Sequence, residues 1–255
     1  MELFSRIIGE GQPLVILHGL FGMSDNWQTF GKAMADEGYE VHLIDQRNHG
    51  QSPNSEEHTY QSMADDLLEY CHAHQLVDIY LLGHSMGGKV AMLFSCLHPQ
   101  MVEKLVVVDI APKGYPVHHQ EIIDALRTLD FNSLKSRTEA DEVLKRSIDN
   151  FGVRQFLLKS LYWKEKGKLG LRFNLDVIER NIEMVGESLF DDAQYGGPTL
   201  FIRGELSGYI KDGDMDRIHQ HFPEAILVTI KGAGHWVHAE KPQEFLQAAR
   251  DFLRA

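Results

Sequence analysis

The sequence lacks the features that mark membrane-spanning and secreted proteins. No apolar run approaches the roughly 20 residues that a transmembrane helix needs. The first ten residues carry neither the basic cluster nor the long apolar stretch of a secretory signal peptide. From these absences we expect a cytoplasmic protein with no membrane span.

Basic residues and cysteines are also scarce. Lys and Arg number 25 against 37 Asp and Glu, for a formal net charge of -12. Because nucleic-acid binders need clustered basic side chains for phosphates, we expect no nucleic-acid partner. Cys71 and Cys96 both fall in apolar, helix-like stretches, which favours buried thiols over a disulfide.

Short apolar runs alternate with longer segments of helical periodicity. The predicted strands are residues 14–17, 41–44, 79–82, 105–108, 199–202 and 226–230. The predicted helices between and after them are residues 26–37, 61–74, 86–97, 214–221 and 242–253. Such alternation predicts an α/β fold, a doubly wound and mostly parallel sheet with helices on both faces.

One connection is much longer than a single crossover helix. About 90 residues separate the strand at 105–108 from the strand at 199–202. Helix-like pieces within them are residues 120–129, 140–149, 153–162 and 175–185. Because a structureless loop of this length is uncommon, we expect a helical cap at 113–197, inserted in a core formed by 1–112 and 198–255.

The stretch G-H-S-M-G-G at residues 83–88 lies between a predicted strand and a predicted helix. A serine on such a sharp turn has strained backbone angles, and flanking glycines let neighbouring segments approach closely. Its hydroxyl projects at the helix N-terminus, where the Met86 N–H and the helix dipole favour a developing negative charge. We therefore predict Ser85 as a nucleophile.

A second glycine-rich turn, H-G-L-F-G at residues 18–22, follows the first predicted strand. Two backbone amides aimed at one oxygen form an oxyanion hole. We assign the N–H groups of Leu20 and Met86 to this role. Phe21 remains an alternative, either as the donor or as a wall of the acyl pocket.

His235 lies in G-A-G-H-W at residues 232–236, directly after the last predicted strand. Functional side chains of open parallel sheets collect at such carboxyl ends. A neutral imidazole there can take the Ser85 proton and return it to the leaving group, so His235 is predicted as the general base. His72 and His74 are two apart on a helix and face different ways, and we expect neither a metal nor another cofactor.

Together these motifs resemble those of the α/β-hydrolase superfamily over nearly the whole chain. The stretches that carry the resemblance are H-G-L-F-G at 18–22, D-Q-R-N-H-G-Q-S at 45–52, G-H-S-M-G-G at 83–88, V-D-I-A-P at 108–112 and G-A-G-H-W-V-H-A-E-K-P at 232–242. They are most similar to the small bacterial YbfF-type esterases and their mitochondrial relatives. The resemblance implies the α/β-hydrolase fold and carboxylic-ester hydrolysis, with acyl-CoA thioesters open as further substrates.

The acid of the triad departs from the pattern of many relatives, which carry an Asp in the loop after the penultimate strand. Here that loop is R-G-E-L-S-G-Y at 203–209, with Ser207 where the Asp is expected. Asp109 instead closes the predicted strand beside that of Ser85, and a carboxylate there can fix the histidine tautomer and stabilise the imidazolium. We predict Asp109 as the acid and Ser207 as a second anchor for His235. The reserve acids are Glu205, Asp176 and Asp212.

The D-Q-R-N-H-G-Q-S stretch at 45–52 offers no nucleophile within reach of the predicted base. We interpret it as a structural loop in which Asp45 and Arg47 satisfy backbone groups. Asp45 stays open as a charge partner near the site.

Apolar side chains of the inserted segment are candidates for a substrate pocket. The predicted pocket residues are Phe21, Phe156, Leu157, Leu161 and Trp236, although such stripes also pack against a core. The segment's basic residues are either solvated or contact an anionic group of the substrate; they are Arg154, Lys159 and Arg172.

The leading function is acyl transfer to water through a covalent acyl-enzyme on Ser85, with a small-molecule ester or thioester as substrate. A C–C hydrolase or lyase on the same scaffold and a non-catalytic binding protein remain alternatives. A dehalogenase or epoxide hydrolase is disfavoured, because those relatives need an Asp where Ser85 stands.

Overall fold

The computed structural model describes residues 1–116 and 119–255. The strands in this part of the chain are β1 (Ser5–Ile8), β2 (Gln12–Leu17), β3 (Tyr39–Ile44), β4 (Ile79–His84), β5 (Val102–Val108), β6 (Leu161–Glu165), β7 (Lys168–Leu171), β8 (Thr199–Gly204) and β9 (Ala225–Ile230). Seven of them form one sheet in the order β1-β3-β2-β4-β5-β8-β9. All pairs in this sheet are parallel except β1 with β3.

The α-helices of the described residues are α1 (Gln28–Ala35), α2 (Tyr60–Ala73), α3 (Met86–Leu97), α4 (Gln120–Arg127), α5 (Arg137–Leu144), α6 (Phe151–Lys159), α7 (Leu175–Arg180), α8 (Met215–His221), α9 (Val237–Glu240) and α10 (Pro242–Arg254). Helices α1 and α10 pack on one face of the sheet, and α2 and α3 pack on the other. This arrangement confirms the predicted doubly wound, mostly parallel α/β sheet.

Side chains that alternate along each strand divide between two hydrophobic clusters. On β2, Leu14 and Ile16 join a cluster with apolar residues of α1 and α10. Val15 and Leu17 join the other cluster, with apolar residues of α2 and α3. Because both faces of the central strands are buried, these strands appear in the sequence as continuous apolar runs.

The segment between β5 and β8 contains α4 to α7 and an antiparallel hairpin of β6 and β7. Its two ends pair with each other where they join the sheet. Leu189 N donates to Pro112 O at 3.0 Å, and Tyr115 N donates to Gly186 O at 2.8 Å.

Two features of the architecture differ from the sequence prediction. The predicted helix at 153–162 ends at Lys159, and the chain then enters the β6–β7 hairpin, which we did not predict. The apolar spacing of this stretch suits either structure, and only pairing with residues 168–171 decides for a strand. Strand β1, at the edge of the sheet, was also missed because its four residues show no clear alternation.

Among the described residues, every helix is too short or too polar to span a lipid bilayer. Cys71 is buried and Cys96 half-buried, and both are free thiols. Burial raises the pKa of each thiol to about 12. The two cysteines therefore pack as small apolar side chains, as the sequence indicated.

Candidate active site

Ser85 lies on the tight turn between β4 and α3, with φ 53° and ψ -118°. The turn depends on glycine on both sides. A Cβ on Gly83 would lie 2.2 Å from the Gly87 carbonyl oxygen, and one on Gly87 would lie 2.5 Å from the Leu17 oxygen. Because neither position has room for a side chain, the glycines let β2, β4 and α3 meet beneath Ser85.

His235 joins Ser85 to Asp109 through both of its ring nitrogens. Its Nε2 lies 3.0 Å from Ser85 Oγ, and its Nδ1 lies 2.7 Å from Asp109 Oδ2. The three residues follow β4, β5 and β9, so the predicted groups meet at the carboxyl edge of the sheet. With Nδ1 protonated toward the carboxylate, Nε2 is free to accept the serine proton.

Asp109 is fully buried and has an unusual positive φ of 51°. Its Oδ1 accepts the Gly204 N–H at 3.0 Å, and its Oδ2 accepts both the His235 Nδ1–H and the Ser207 hydroxyl. Ser207 therefore contacts the carboxylate rather than the imidazole. These hydrogen bonds fix the orientation of the carboxylate.

Two further residues hold His235, and sequence reasoning assigned neither to it. The Tyr209 ring stacks on the imidazole, with centroids 4.2 Å apart and planes at 23°. His84 donates from Nε2 to the His235 carbonyl oxygen at 2.9 Å, and burial holds the pKa of His84 well below its usual range. Both contacts join distant parts of the chain, which is why no local sequence pattern reveals them.

The turn at 18–22 lies directly against Ser85. A Cβ on Gly19 would lie 2.8 Å from His84 Nδ1 and 3.2 Å from Ser85 Cβ. Within the described residues, the N–H groups of Leu20 and Met86 donate no hydrogen bond, and both residues border cavities that reach Ser85. The Phe21 N–H instead donates to His49 Nε2 at 3.2 Å, so Phe21 is not an available oxyanion donor.

A cavity of about 180 Å³ opens above Ser85. Four of the five predicted pocket residues line it, and they are Phe21, Phe156, Leu157 and Trp236. The prediction for Leu161 is wrong: it lies at the start of β6, is 1% exposed and packs in the hydrophobic core. It is absent from the wall because the chain leaves the helix at Lys159. Residues that we did not predict also line the cavity, among them Ile122, Val153 and Tyr209.

Two larger cavities border the inserted segment. One, of about 650 Å³, shares Phe156, His235 and Trp236 with the cavity above Ser85. The other, of about 680 Å³, lies between α1 and the helices α5 and α6, and Ser85 is not part of its wall. Of these three cavities, the one of about 180 Å³ is the one with Ser85 in its wall.

The other acids have different partners. Glu205 accepts the Gly232 N–H at 2.8 Å, and Asp45 accepts the Ser24 and Gln51 amides at 2.6 and 2.8 Å. Asp176 and Asp212 are 73% and 91% exposed and pair with arginines. These contacts leave Asp109 as the acid that meets His235 and agree with a structural role for the loop at 45–52.

Arg154 is neither solvated nor available to a substrate anion, contrary to both of our expectations. It is 5% exposed, pairs with Asp141 at 2.8 Å and donates to the Ile148 and Asp149 carbonyl oxygens just before α6. Arg172 lies over the Tyr162 ring at 4.0 Å. Lys159 borders the cavity of about 650 Å³.

Comparison with known proteins agrees with this geometry. The family model described as "alpha/beta hydrolase fold" matches residues 12–147. The chain is 37% identical to esterase YbfF of Escherichia coli K12, covering 94% of this chain and 92% of that protein. It belongs to the α/β-hydrolase family. The predicted resemblance is thereby confirmed, and this α/β hydrolase is a serine hydrolase enzyme.

Two further relatives extend the likeness. The mouse protein named sn-1-specific diacylglycerol lipase ABHD11 is 38% identical over 247 residues, which cover 94% of this α/β hydrolase and 80% of the mouse protein. A solved structure titled marine microorganism esterase superimposes with a TM-score of 0.95 at 45% identity, covering 99% of each chain. The similarity therefore includes the segment inserted between β5 and β8.

Proposed function

We propose that this α/β hydrolase cleaves carboxylic esters through a Ser85–His235–Asp109 triad and a covalent acyl-enzyme. The observation that carries the proposal is the continuous hydrogen-bond chain from Ser85 Oγ to His235 to Asp109 at the floor of an apolar cavity. Relatives named esterase and lipase support ester hydrolysis as the reaction class.

In the first step, His235 Nε2 accepts the proton as Ser85 Oγ attacks the ester carbonyl carbon. The imidazolium that forms is stabilised by the buried Asp109 carboxylate across the 2.7 Å contact. Collapse of the tetrahedral intermediate breaks the acyl–oxygen bond, and His235 returns its proton to the departing alcohol. The acyl group is then bound to Ser85 as an ester.

In the second step, His235 takes a proton from water, and the resulting hydroxide attacks the acyl-enzyme. Collapse of the second tetrahedral intermediate breaks the bond between the acyl carbon and Ser85 Oγ and releases the carboxylic acid. His235 returns its proton to Ser85. In both steps the N–H groups of Leu20 and Met86 stabilise the negative charge on the carbonyl oxygen. Each such donor lowers the barrier by about 3 to 4 kcal/mol in comparable hydrolases.

The wall of the cavity sets the acyl group that the site accepts. Its volume of about 180 Å³ and its apolar lining favour a small uncharged acyl group. The inserted segment at 113–197 supplies Ile122 from α4 and Val153, Phe156 and Leu157 from α6 to the apolar wall, and we assign it the role of a cap over the core. A thioester fits the same chemistry, since thiolates are better leaving groups than alkoxides.

The test is hydrolysis of short chromogenic esters by wild type and Ser85→Ala. Loss of the nucleophile should reduce kcat by about 10⁴-fold or more, because the remaining groups cannot form the acyl-enzyme. Turnover by Ser85→Ala at the wild-type rate would contradict the proposal. Acyl-CoA thioesters of matched chain length, assayed in parallel, decide whether the activity extends to thioesters.

A further inference from the structure

His49 is a buried histidine behind the turn at 18–22, in the loop that we interpreted as structural. It is 1% exposed, and its two ring nitrogens have different partners. Nδ1 donates to the Arg47 carbonyl oxygen at 2.9 Å, which leaves Nε2 as an acceptor. That acceptor takes the Phe21 N–H at 3.2 Å.

The imidazole of His49 is neutral in this position. Burial, with a smaller contribution from the neighbouring ring of His18, lowers its pKa to about 3. The His18 and His58 rings lie 5.1 and 6.0 Å away, and the pKa values of both are also lowered, to about 4 and about 3. The lone pair on His49 Nε2 is therefore available near neutral pH.

The turn that His49 contacts carries backbone strain. Phe21 has φ 61°, a left-handed conformation that costs a non-glycine residue about 1 to 3 kcal/mol and persists only where surrounding contacts impose it. The Phe21 N–H has one hydrogen bond among the described residues, and His49 accepts it. The neighbouring Leu20 N–H, which donates no hydrogen bond within the described residues, can therefore donate to the substrate.

We propose that His49 is a positioning residue for the oxyanion hole: by accepting the Phe21 N–H, it holds the strained turn so that the Leu20 N–H serves the reacting carbonyl. The inference rests on the proposed function, since it concerns the charge that develops during attack by Ser85. His49 itself touches no substrate. Its effect passes along the backbone through a single residue, from the Phe21 N–H across Leu20 to the Leu20 N–H.

Three substitutions at His49 separate the acceptor from the bulk of the ring. His49→Leu removes both polar atoms, and His49→Gln places an amide oxygen near the former Nε2. His49→Asn places its amide near the former Nδ1, too short to reach Phe21 N. His58→Leu is the matched control, because His58 is equally buried and bonds to Asn48 rather than to the turn.

The measurements are kcat and KM for a short ester, and Ki for a trifluoromethyl ketone, which adds to the serine and places an oxyanion in the hole. We expect His49→Leu to lower kcat about 10²-fold and to raise Ki by the same factor, with KM within about threefold. His49→Gln should recover most of both losses. His58→Leu should keep kcat within about threefold of wild type.

Three results would overturn the inference. They are a kcat for His49→Leu within threefold of wild type, a loss of kcat with no change in Ki, and a loss for His49→Gln as large as that for His49→Leu. If His49→Leu does not fold, the pair His49→Gln and His49→Asn decides, since equal rates contradict the proposal. Ser85→Ala in the same assay tests the proposed function separately, because its turnover does not depend on His49.

Discussion

The carboxyl edge of the sheet and the inserted segment at 113–197 contribute different things to the site. The sheet edge supplies Ser85, Asp109 and His235, each fixed by hydrogen bonds to neighbouring backbone or side chains. The segment supplies apolar walls from α4 and α6, with Phe156 as an example. Changes at the edge should therefore alter the rate for every substrate, whereas changes in the segment should alter which substrate is preferred.

The largest effect expected at the sheet edge, after loss of Ser85, comes from Asp109→Asn. An amide at this position favours the wrong histidine tautomer and leaves the imidazolium without its negative charge. We expect kcat to fall about 10⁴-fold for all esters alike. Steady-state kinetics with esters of two chain lengths check this, with Glu205→Gln as the control because Glu205 accepts the nearby Gly232 amide rather than the His235 imidazole. A near-normal rate for Asp109→Asn would contradict the role of Asp109 as the acid of the triad.

A smaller and selective effect is expected from Phe156→Ala in the segment. The Phe156 and Trp236 rings lie 5.5 Å apart, and both border the cavity of about 180 Å³ and the cavity of about 650 Å³. Removing the Phe156 ring should join the two spaces. We expect kcat for the shortest ester to stay within about threefold, while the preference for long over short acyl chains rises about tenfold.

The control for this change is Phe151→Ala, since Phe151 begins the same helix and is 64% exposed. A graded series of esters assayed with both variants measures the preference. An unchanged profile for Phe156→Ala, or an equal loss of kcat for every chain length, would break the division of roles between edge and segment.

Lys89 joins the two regions and should affect stability rather than rate. It lies on α3, is 1% exposed, and donates from Nζ to the Lys113 and Glu187 carbonyl oxygens at 2.6 and 2.7 Å. These acceptors lie at the two ends of the inserted segment. Burial, with smaller contributions from the positive charges of Arg217 and Lys113, lowers the pKa of Lys89 from 10.5 to about 7.

Because its pKa is lower in the folded state, Lys89 binds more protons in the unfolded chain between about pH 7 and pH 10. Wild type should therefore gain stability relative to Lys89→Met as pH rises through this range, by at most about 1.4 kcal/mol per pH unit. Urea unfolding of both proteins at several pH values measures the difference. A difference that does not change with pH would contradict the lowered pKa.

The sequence predicts those site residues whose role is set by neighbours close in the chain. Ser85 and its glycines were predictable because a sharp strand-to-helix turn imposes its own residue pattern. Asp109 was predictable because it closes a strand that lies beside β4. Tyr209 and His49 act through contacts with distant residues, and no local pattern marks them.

The inserted segment was predicted less well for a related physical reason. Its helices lie near the expected places, but Ser136 caps α5 earlier than we expected, and its side chain accepts the Glu139 N–H. The β6–β7 hairpin depends on cross-strand pairing that apolar spacing does not reveal. Leu161 was assigned to the pocket on helical spacing, and the strand directs it into the core instead.

The central claim is that Ser85 is the nucleophile, and reaction with a fluorophosphonate tests it most directly. Intact-mass measurement and peptide mapping would follow the adduct in wild type, Ser85→Ala and His235→Ala. We expect one adduct per chain on Ser85, none on Ser85→Ala, and much slower labelling of His235→Ala. An adduct on another residue, or ester hydrolysis by a chain that takes up no label, would contradict it.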